Sequence, residues 1–311
     1  MGCGVRRCLI LLSLAWSPLA ADTYYLTVAG LGSEADYEQR FSGWAKDIDK
    51  LVQSAPASHA KTLFGDSATR DNIRRELQAL SGQAKPDDVV VVMMIGHGSF
   101  DGIDYKFNVP GPDITSSELA QLLDRVPASR QLVVNLTSAS GAAIEALRKP
   151  NRAVITATRS GTERNAVVFP RYWIEALRDA SADADKNDVI TALEAFRYAD
   201  QKTAKFYETQ KRLATEHALL EDTGQGEGVR NPSSENGQGL LAGRFPLIRL
   251  GAAQQAMRDP AKQKLLARKE ELEAQVDKLK YQKAAIPGDE YKKQISALLL
   301  ELARTQAELD K

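Results

Sequence analysis

Past residue 21 this chain has no cysteine. The two in the sequence, Cys3 and Cys8, both lie in its first eight residues. A chain shortened beyond them can form no disulfide and can use no thiolate as nucleophile or metal ligand. A charge of one sign is missing as well: 41 Lys+Arg stand against 41 Asp+Glu. No global field draws the chain to nucleic acid or to an anionic membrane, and nucleic acid is not expected as a partner. Glycine-rich phosphate loops are lacking too. AGLGSE (29–34) follows the first β-rich run but has no third glycine, so nucleotide binding is weakly supported.

The first residues read as a targeting segment. Arg6 and Arg7 supply a basic start, CLILLSLAW a short apolar stretch, and SPLAAD small residues for cleavage after Ala20 or Ala21. The apolar stretch is short for a membrane span. We therefore expect residues 1–21 to be a signal peptide, with an uncleaved N-terminal anchor as the alternative. Its removal takes away two arginines and leaves 39 basic side chains against 41 acidic ones. The expected product has no stable membrane span and is periplasmic or secreted.

From residue 23 onward, strand and helix patterns alternate. TYYLTVAG (23–30) is β-rich, and Phe41, Trp44, Ile48 and Leu51 recur at helical spacing over 34–53. AKTLFGD (60–66) reads as a strand, with N-cap candidates Asp66, Ser67 and Thr69 before a helix carrying Ile73, Leu77 and Leu80. DDVVVVMMIGHG (87–98) is a continuous apolar run, as in a parallel strand covered on both faces. Thr115 or Ser116 with Glu118 opens a helix bearing Leu119, Leu122 and Leu123. RQLVVNLTS (130–138) is another buried strand, GAAIEAL its helix, and RAVITAT (152–158) a further strand. From about 169 the pattern is mostly helical. This predicts an α/β layered fold with a largely parallel sheet. Ligands in such sheets sit beyond the C-terminal strand ends, here 96–98, 137–141 and 158–164.

We place the main domain at 22–221. Residues 222–254 are rich in Gly, Ser and Asn and read as a flexible linker, with AGRFPLIRLG as a brief return strand. Residues 255–311 read as a helical hairpin: Leu265, Leu272 and Leu279 recur every seven residues, Ile286-Pro287-Gly288 breaks the helix, and Ile295, Leu298, Leu302 and Leu309 form a second stripe. The hairpin is either an arm for self-association or a partner helix, or it folds back on its own domain.

Two groups of residues can carry chemistry. His97 ends a buried strand between two glycines, a setting that opens an imidazole to a ligand. LVVNLTSASGAAIEAL (132–147) is a strand running into a hydroxyl-rich turn and a helix, a common seat for a nucleophile. His59 reads as a surface residue and His217 as a packing one.

MIGHGSFDG and VNLTSASG, in that order and separated by one helix, resemble the histidine and nucleophile motifs of the caspase/legumain superfamily of cysteine peptidases, the legumain branch most closely. ITATRSGTERNA and VAGLGSEADYEQRF resemble a strand walling the specificity pocket and the opening strand with its arginine-bearing loop. The resemblance covers roughly residues 23–220. It implies a three-layer α/β/α caspase-like sandwich, beside which the C-terminal antiparallel hairpin (a coiled coil) stands as an addition. His97 matches the catalytic histidine, and Gly98 the glycine whose N–H helps form the oxyanion hole. Ser138 falls where the family has cysteine, and Ser140 and Gly141 match the Ser-Gly after it. Arg40 matches the pocket arginine, and Thr158 lies near the pocket wall.

The serine is the main departure. A thiol with an unperturbed pKa of about 8.5 ionises readily beside a histidine, whereas an alcohol needs a strongly oriented base. The expectation is a peptidase-fold protein with weak or no proteolytic activity that binds a peptide or protein ligand. The alternative is an active endopeptidase using Ser138 and His97.

DADKNDVITALE (183–194) carries EF-hand spacing. Asp183, Asp185 and Asn187 hold positions 1, 3 and 5, the Val189 carbonyl position 7, Thr191 position 9 and Glu194 position 12, with Asp188 where glycine is usual. Weak calcium binding is expected, or else a polar connector between helices. No cofactor is required otherwise.

Overall fold

The computed structural model describes residues 21–53 and 57–311. The expected signal segment, with Cys3 and Cys8, lies outside the described residues apart from Ala21. The chain opens with β1 (Thr23–Ala29), α1 (Ala35–Val52), β2 (Ser58–Leu63), α2 (Arg70–Gln83) and β3 (Val89–Gly96). Three short strands come after it, β4 (Gly98–Phe100), β5 (Tyr105–Phe107) and β6 (Ile114–Thr115), and then α3 (Ser116–Asp124). Next come β7 (Arg130–Thr137), α4 (Ile144–Leu147), β8 (Arg152–Thr156), α5 (Phe169–Ala176), β9 (Val189–Thr191), α6 (Ala192–Thr209) and β10 (Leu219–Glu221). The last elements are β11 (Pro246–Arg249), α7 (Gly251–Ala256), α8 (Pro260–Tyr281) and α9 (Gly288–Leu309).

Six strands form the central sheet in the order β10-β8-β7-β3-β1-β2. All neighbours are parallel except β10, which runs antiparallel to β8. All eight residues of β3 are buried, which explains its unbroken apolar run. Its side chains alternate between two cores. Val91, Met93 and Ile95 pack with Phe41 and Ile48 of α1 and with Trp173 of α5. Val90, Val92 and Met94 pack with Leu77 of α2 and Leu119 and Leu123 of α3. The result is an α/β/α sandwich with a mostly parallel sheet. The second strand begins at Ser58 rather than 60, because it pairs with β1 from Thr23↔Ser58 onward.

The stretch expected to be a flexible linker is tied down by two buried carboxylates. Glu221 accepts from the N–H groups of Thr223, Gly224 and Gly226. Asp222 accepts from those of Gly239, Leu241 and Ala242, all at 2.8 Å. The chain then returns as β11, antiparallel to β9. The hairpin lies back on the domain through α8, with Leu266, Leu272, Val276 and Leu279 buried and Arg249 on Glu270 at 2.9 Å. The two helices run antiparallel, since Lys262 reaches the carbonyl of Leu309 and Arg268 reaches Glu301. Among the described residues no helix is long and apolar enough to cross a membrane.

Candidate active site

Strands β3 and β7 are in register at their C-terminal ends, with Ile95 opposite Leu136 and Gly96 opposite Thr137. Ile95 and Leu136 face the same core. His97 and Ser138 directly follow these paired ends, so the two residues leave adjacent strands at the same edge of the sheet. The turns are built for close approach. Gly96 adopts φ +148°, a conformation side chains rarely take. A Cβ on Gly98 would lie 2.6 Å from the Ser138 carbonyl oxygen and from the Tyr105 hydroxyl. Ala139 sits at φ +55°, at a cost of about 1–2 kcal/mol. Its N–H is held by the Glu163 carbonyl at 2.8 Å.

The Ser138 side chain is 3% exposed. Its Oγ accepts from the Gly98 N–H at 3.2 Å and donates to the Gly98 carbonyl at 3.0 Å. The hydroxyl is thus bound to the Gly98 peptide at both ends. His97 is half-buried, with its ring edge-on to Tyr37 and Phe41 at 5.0 and 5.2 Å. Burial pulls its pKa below the usual histidine value, and the Gly32 backbone and the Glu34 charge only partly offset this. The ring is steadied by backbone and aromatic faces; among the described residues Glu34 is the carboxylate acting on it, and it does so through its charge.

Beside His97 lies a cleft of roughly 180 Å³, walled by Tyr37, Phe41, Trp44, Val167 and Pro170, with Arg40 among its lining residues. The Arg40 guanidinium is exposed and stacks on Tyr37 at 5.1 Å. Thr158 is elsewhere. It is fully buried; its N–H donates to Ser140 Oγ at 3.1 Å and its hydroxyl accepts from the Gly141 N–H at 3.0 Å. The structure brings His97, Gly98 and Ser138 together with Arg40 on the histidine side. It uses Thr158, Ser140 and Gly141 to lock the turn against β8.

Two groups around the site were not apparent from the sequence. Under Ser138, the Tyr105 hydroxyl meets Thr137 Oγ1 at 2.6 Å and Asn135 Oδ1 at 3.2 Å, while Asn135 Nδ2 is buried without a partner. The spacing Asn135-x-Thr137 puts both on one face of a strand, but Tyr105 comes from a distant element. Beyond β8, His217 Nδ1 meets Glu163 Oε1 at 2.6 Å, and Glu163 also accepts from the Arg159 N–H. This pair holds the loop after β8, the same loop that carries the carbonyl under Ala139.

The loop at 183–194 gathers three carboxylates. Oxygens of Asp183, Asp185 and Glu194 lie within 4.8 Å of one another, a separation one hard cation can span. Asp183 accepts from the N–H groups of Asn187 and Asp188 at 3.2 and 3.1 Å, and Asp188 takes the left-handed conformation at φ +67°. Thr191 caps α6, with its hydroxyl donating to Glu194 Oε2 at 2.9 Å. Val189 lies in the short strand pair with Arg249. Burial and then the Glu194 charge push the Asp185 carboxyl up to about 6. Asn187 Nδ2 bridges Asp185 at 3.3 Å and Glu273 of α8 at 3.2 Å.

No family model matches the chain, and no curated protein matches it. Among solved structures it is similar to caspase-1 of Spodoptera frugiperda, with 10% identity over 65% of this chain and 87% of that one and a TM-score of 0.47. It is also similar to the Drosophila initiator caspase Dronc, with 12% identity over 67% and 82% of the two chains and a TM-score of 0.44. A third similar structure is a protein from Geobacter sulfurreducens, with 11% identity over 58% and 88% and a TM-score of 0.41. Likeness at this level bears on no residue's role.

Proposed function

We propose that the chain is an exported protein with a peptidase-type fold of the caspase/legumain kind. It holds a peptide or protein segment at the His97 cleft and cleaves it weakly or not at all. The observation that carries this reading is the closed pairing of Ser138 Oγ with both the N–H and the C=O of Gly98. A serine nucleophile must pass its proton to a base, and here the proton points at a carbonyl. An oxyanion needs a free backbone donor, and here the serine itself occupies the Gly98 N–H. The Gly32 backbone and the Glu34 charge favour the protonated His97 ring by less than burial disfavours it, and among the described residues no carboxylate is hydrogen-bonded to the imidazole as a serine hydrolase requires. The aromatic walls and Arg40 suit a side chain with an apolar body and an anionic or polar tip.

Incubation with a serine-directed fluorophosphonate should leave Ser138 unlabelled. Labelling at Ser138 that disappears in His97→Ala would establish the working hydrolase instead. That second reading is favoured by one feature, the shared register that makes His97 and Ser138 the residues directly after neighbouring strand ends. Ser138→Cys separates the two further: a gain of cleavage would mean that the cleft and base are competent and only the nucleophile is deficient.

Weak calcium binding at Asp183, Asp185 and Glu194 belongs to the same proposal, supported by their convergent oxygens. Calorimetric titration with millimolar calcium should give heat that Glu194→Gln abolishes; no heat would remove the idea. The exposed Leu299 and Leu300 of α9 support a role for the hairpin in self-association or partner binding. Sedimentation of Leu299→Glu against the parent chain tests the first of these.

A further inference from the structure

Asp88 stands immediately before β3, with its side chain buried to 2% exposure. Its Oδ1 accepts from the backbone N–H of Asp22 at 2.9 Å, and its Oδ2 from that of Lys85 at 2.8 Å. Among the described residues no Lys, Arg or His comes within ion-pair distance of it. A buried carboxylate with two neutral donors and no counter-charge is an unbalanced arrangement. One of those donors belongs to the first residue that the sheet holds. The Asp22 carbonyl accepts from the Val89 N–H at 2.9 Å, while Ala21 before it is exposed. The Asp22 carboxylate is turned to His59 Nε2 at 3.5 Å, which leaves the nitrogen to Asp88.

We infer that the mature chain begins at Asp22 and that Asp88 is a built site for its new α-ammonium group. Hydrolysis of the Ala21–Asp22 peptide bond breaks the C–N bond, places water's oxygen on the Ala21 carbonyl carbon and delivers both of water's protons to the Asp22 nitrogen. The departing segment leaves as a carboxylate. One amide N–H becomes an ammonium with three donors and a full charge, already 2.9 Å from Asp88 Oδ1. The strand need not move. Cleavage one residue earlier leaves this nitrogen a neutral amide and puts the charge on exposed Ala21, where water screens it. The inference rests on the reading that the chain is exported.

The test has two arms. The exported protein is recovered and its N-terminus read by mass spectrometry; it should begin at Asp22. A start at Ala21, or an uncut chain recovered outside the cytoplasm, overturns the inference and leaves export standing, whereas an uncut chain retained in the cytoplasm overturns both. In the second arm, chains are prepared that begin at Asp22 or carry one added glycine before it, each with and without Asp88→Asn. The extended chain should melt lower by roughly 3 °C or more. The gap should shrink below about 1 °C when Asp88 is Asn. Equal melting of the two N-termini, or a gap that persists without Asp88, overturns the ammonium site. If Asp88→Asn does not fold, N-terminal acetylation of the Asp22 chain replaces it and should lower the melting point by a similar amount; no loss on acetylation overturns the site.

Discussion

His97 carries a proton less readily in the folded chain than in the unfolded one, because burial among Tyr37 and Phe41 disfavours the charged ring. The unfolded histidine titrates near 6.5 and the folded one below that, so the unfolded chain takes up the proton first. The contribution to stability is fully present above about pH 6.5 and is lost as pH falls through the folded value. His97→Gln cannot titrate, so the stability gap between it and the parent should change between pH 8 and pH 5. Urea midpoints measured at each pH decide this, and a constant gap would mean the ring is not desolvated as described. Gly98 makes the neighbouring prediction. An added Cβ meets the Ser138 carbonyl oxygen and the Tyr105 hydroxyl at 2.6 Å, neither of which is the end of a flexible chain. Gly98→Ala should cost about 1–3 kcal/mol in equilibrium unfolding, and a neutral substitution would show that the turn has room. Position 98 is legible in sequence as a glycine beside a histidine and, through the family resemblance, as an expected oxyanion donor. That Ser138 fills the Gly98 N–H could not be read there, because it depends on how closely two strand ends approach.

The hairpin shows how an element can be legible while its buried face is not. Its two helices and the Pro-Gly break are plain from the repeat of leucines, yet the line through Leu265, Leu272 and Leu279 is only part of what is covered. The buried residues of α8 are Leu266, Leu272, Val276 and Leu279, because that helix has two partners, the domain and α9. A seven-residue repeat describes a helix with one. On α9 only Thr305 is buried, and Leu300 is 54% exposed. The two helices should therefore respond differently to truncation. Leu272→Ala, at a fully buried site, should cost about 2–5 kcal/mol. Leu300→Ala should fall within about 0.5 kcal/mol of the parent. Comparable losses at both positions would mean that α9 has a partner in solution, which sedimentation would then detect.

Across the whole molecule, legibility followed depth in the sheet. β3 and β7 were readable from their composition, since strands covered on both faces need apolar residues at every position. β10 was not: Leu219–Glu221 lies in a stretch that looks helical, and it is a strand only because β8 leaves an open edge for it. The short strands β4, β5 and β6 are set by pairing with each other rather than by any pattern of their own. The same gradient should govern stability. Amides of β3 are bonded between two strands and capped by both helical layers, so they can exchange only when the entire domain opens. Those of α9 can exchange when the hairpin frays, because almost none of that helix is covered. Hydrogen exchange read by mass spectrometry should find peptides spanning 89–96 protected at least roughly 100-fold more than peptides spanning 288–309. Equal protection would require the hairpin and the sheet to unfold as one unit. α8 would then belong to the core of the domain, and the loop at 183–194, which it covers, could not open without unfolding the whole chain.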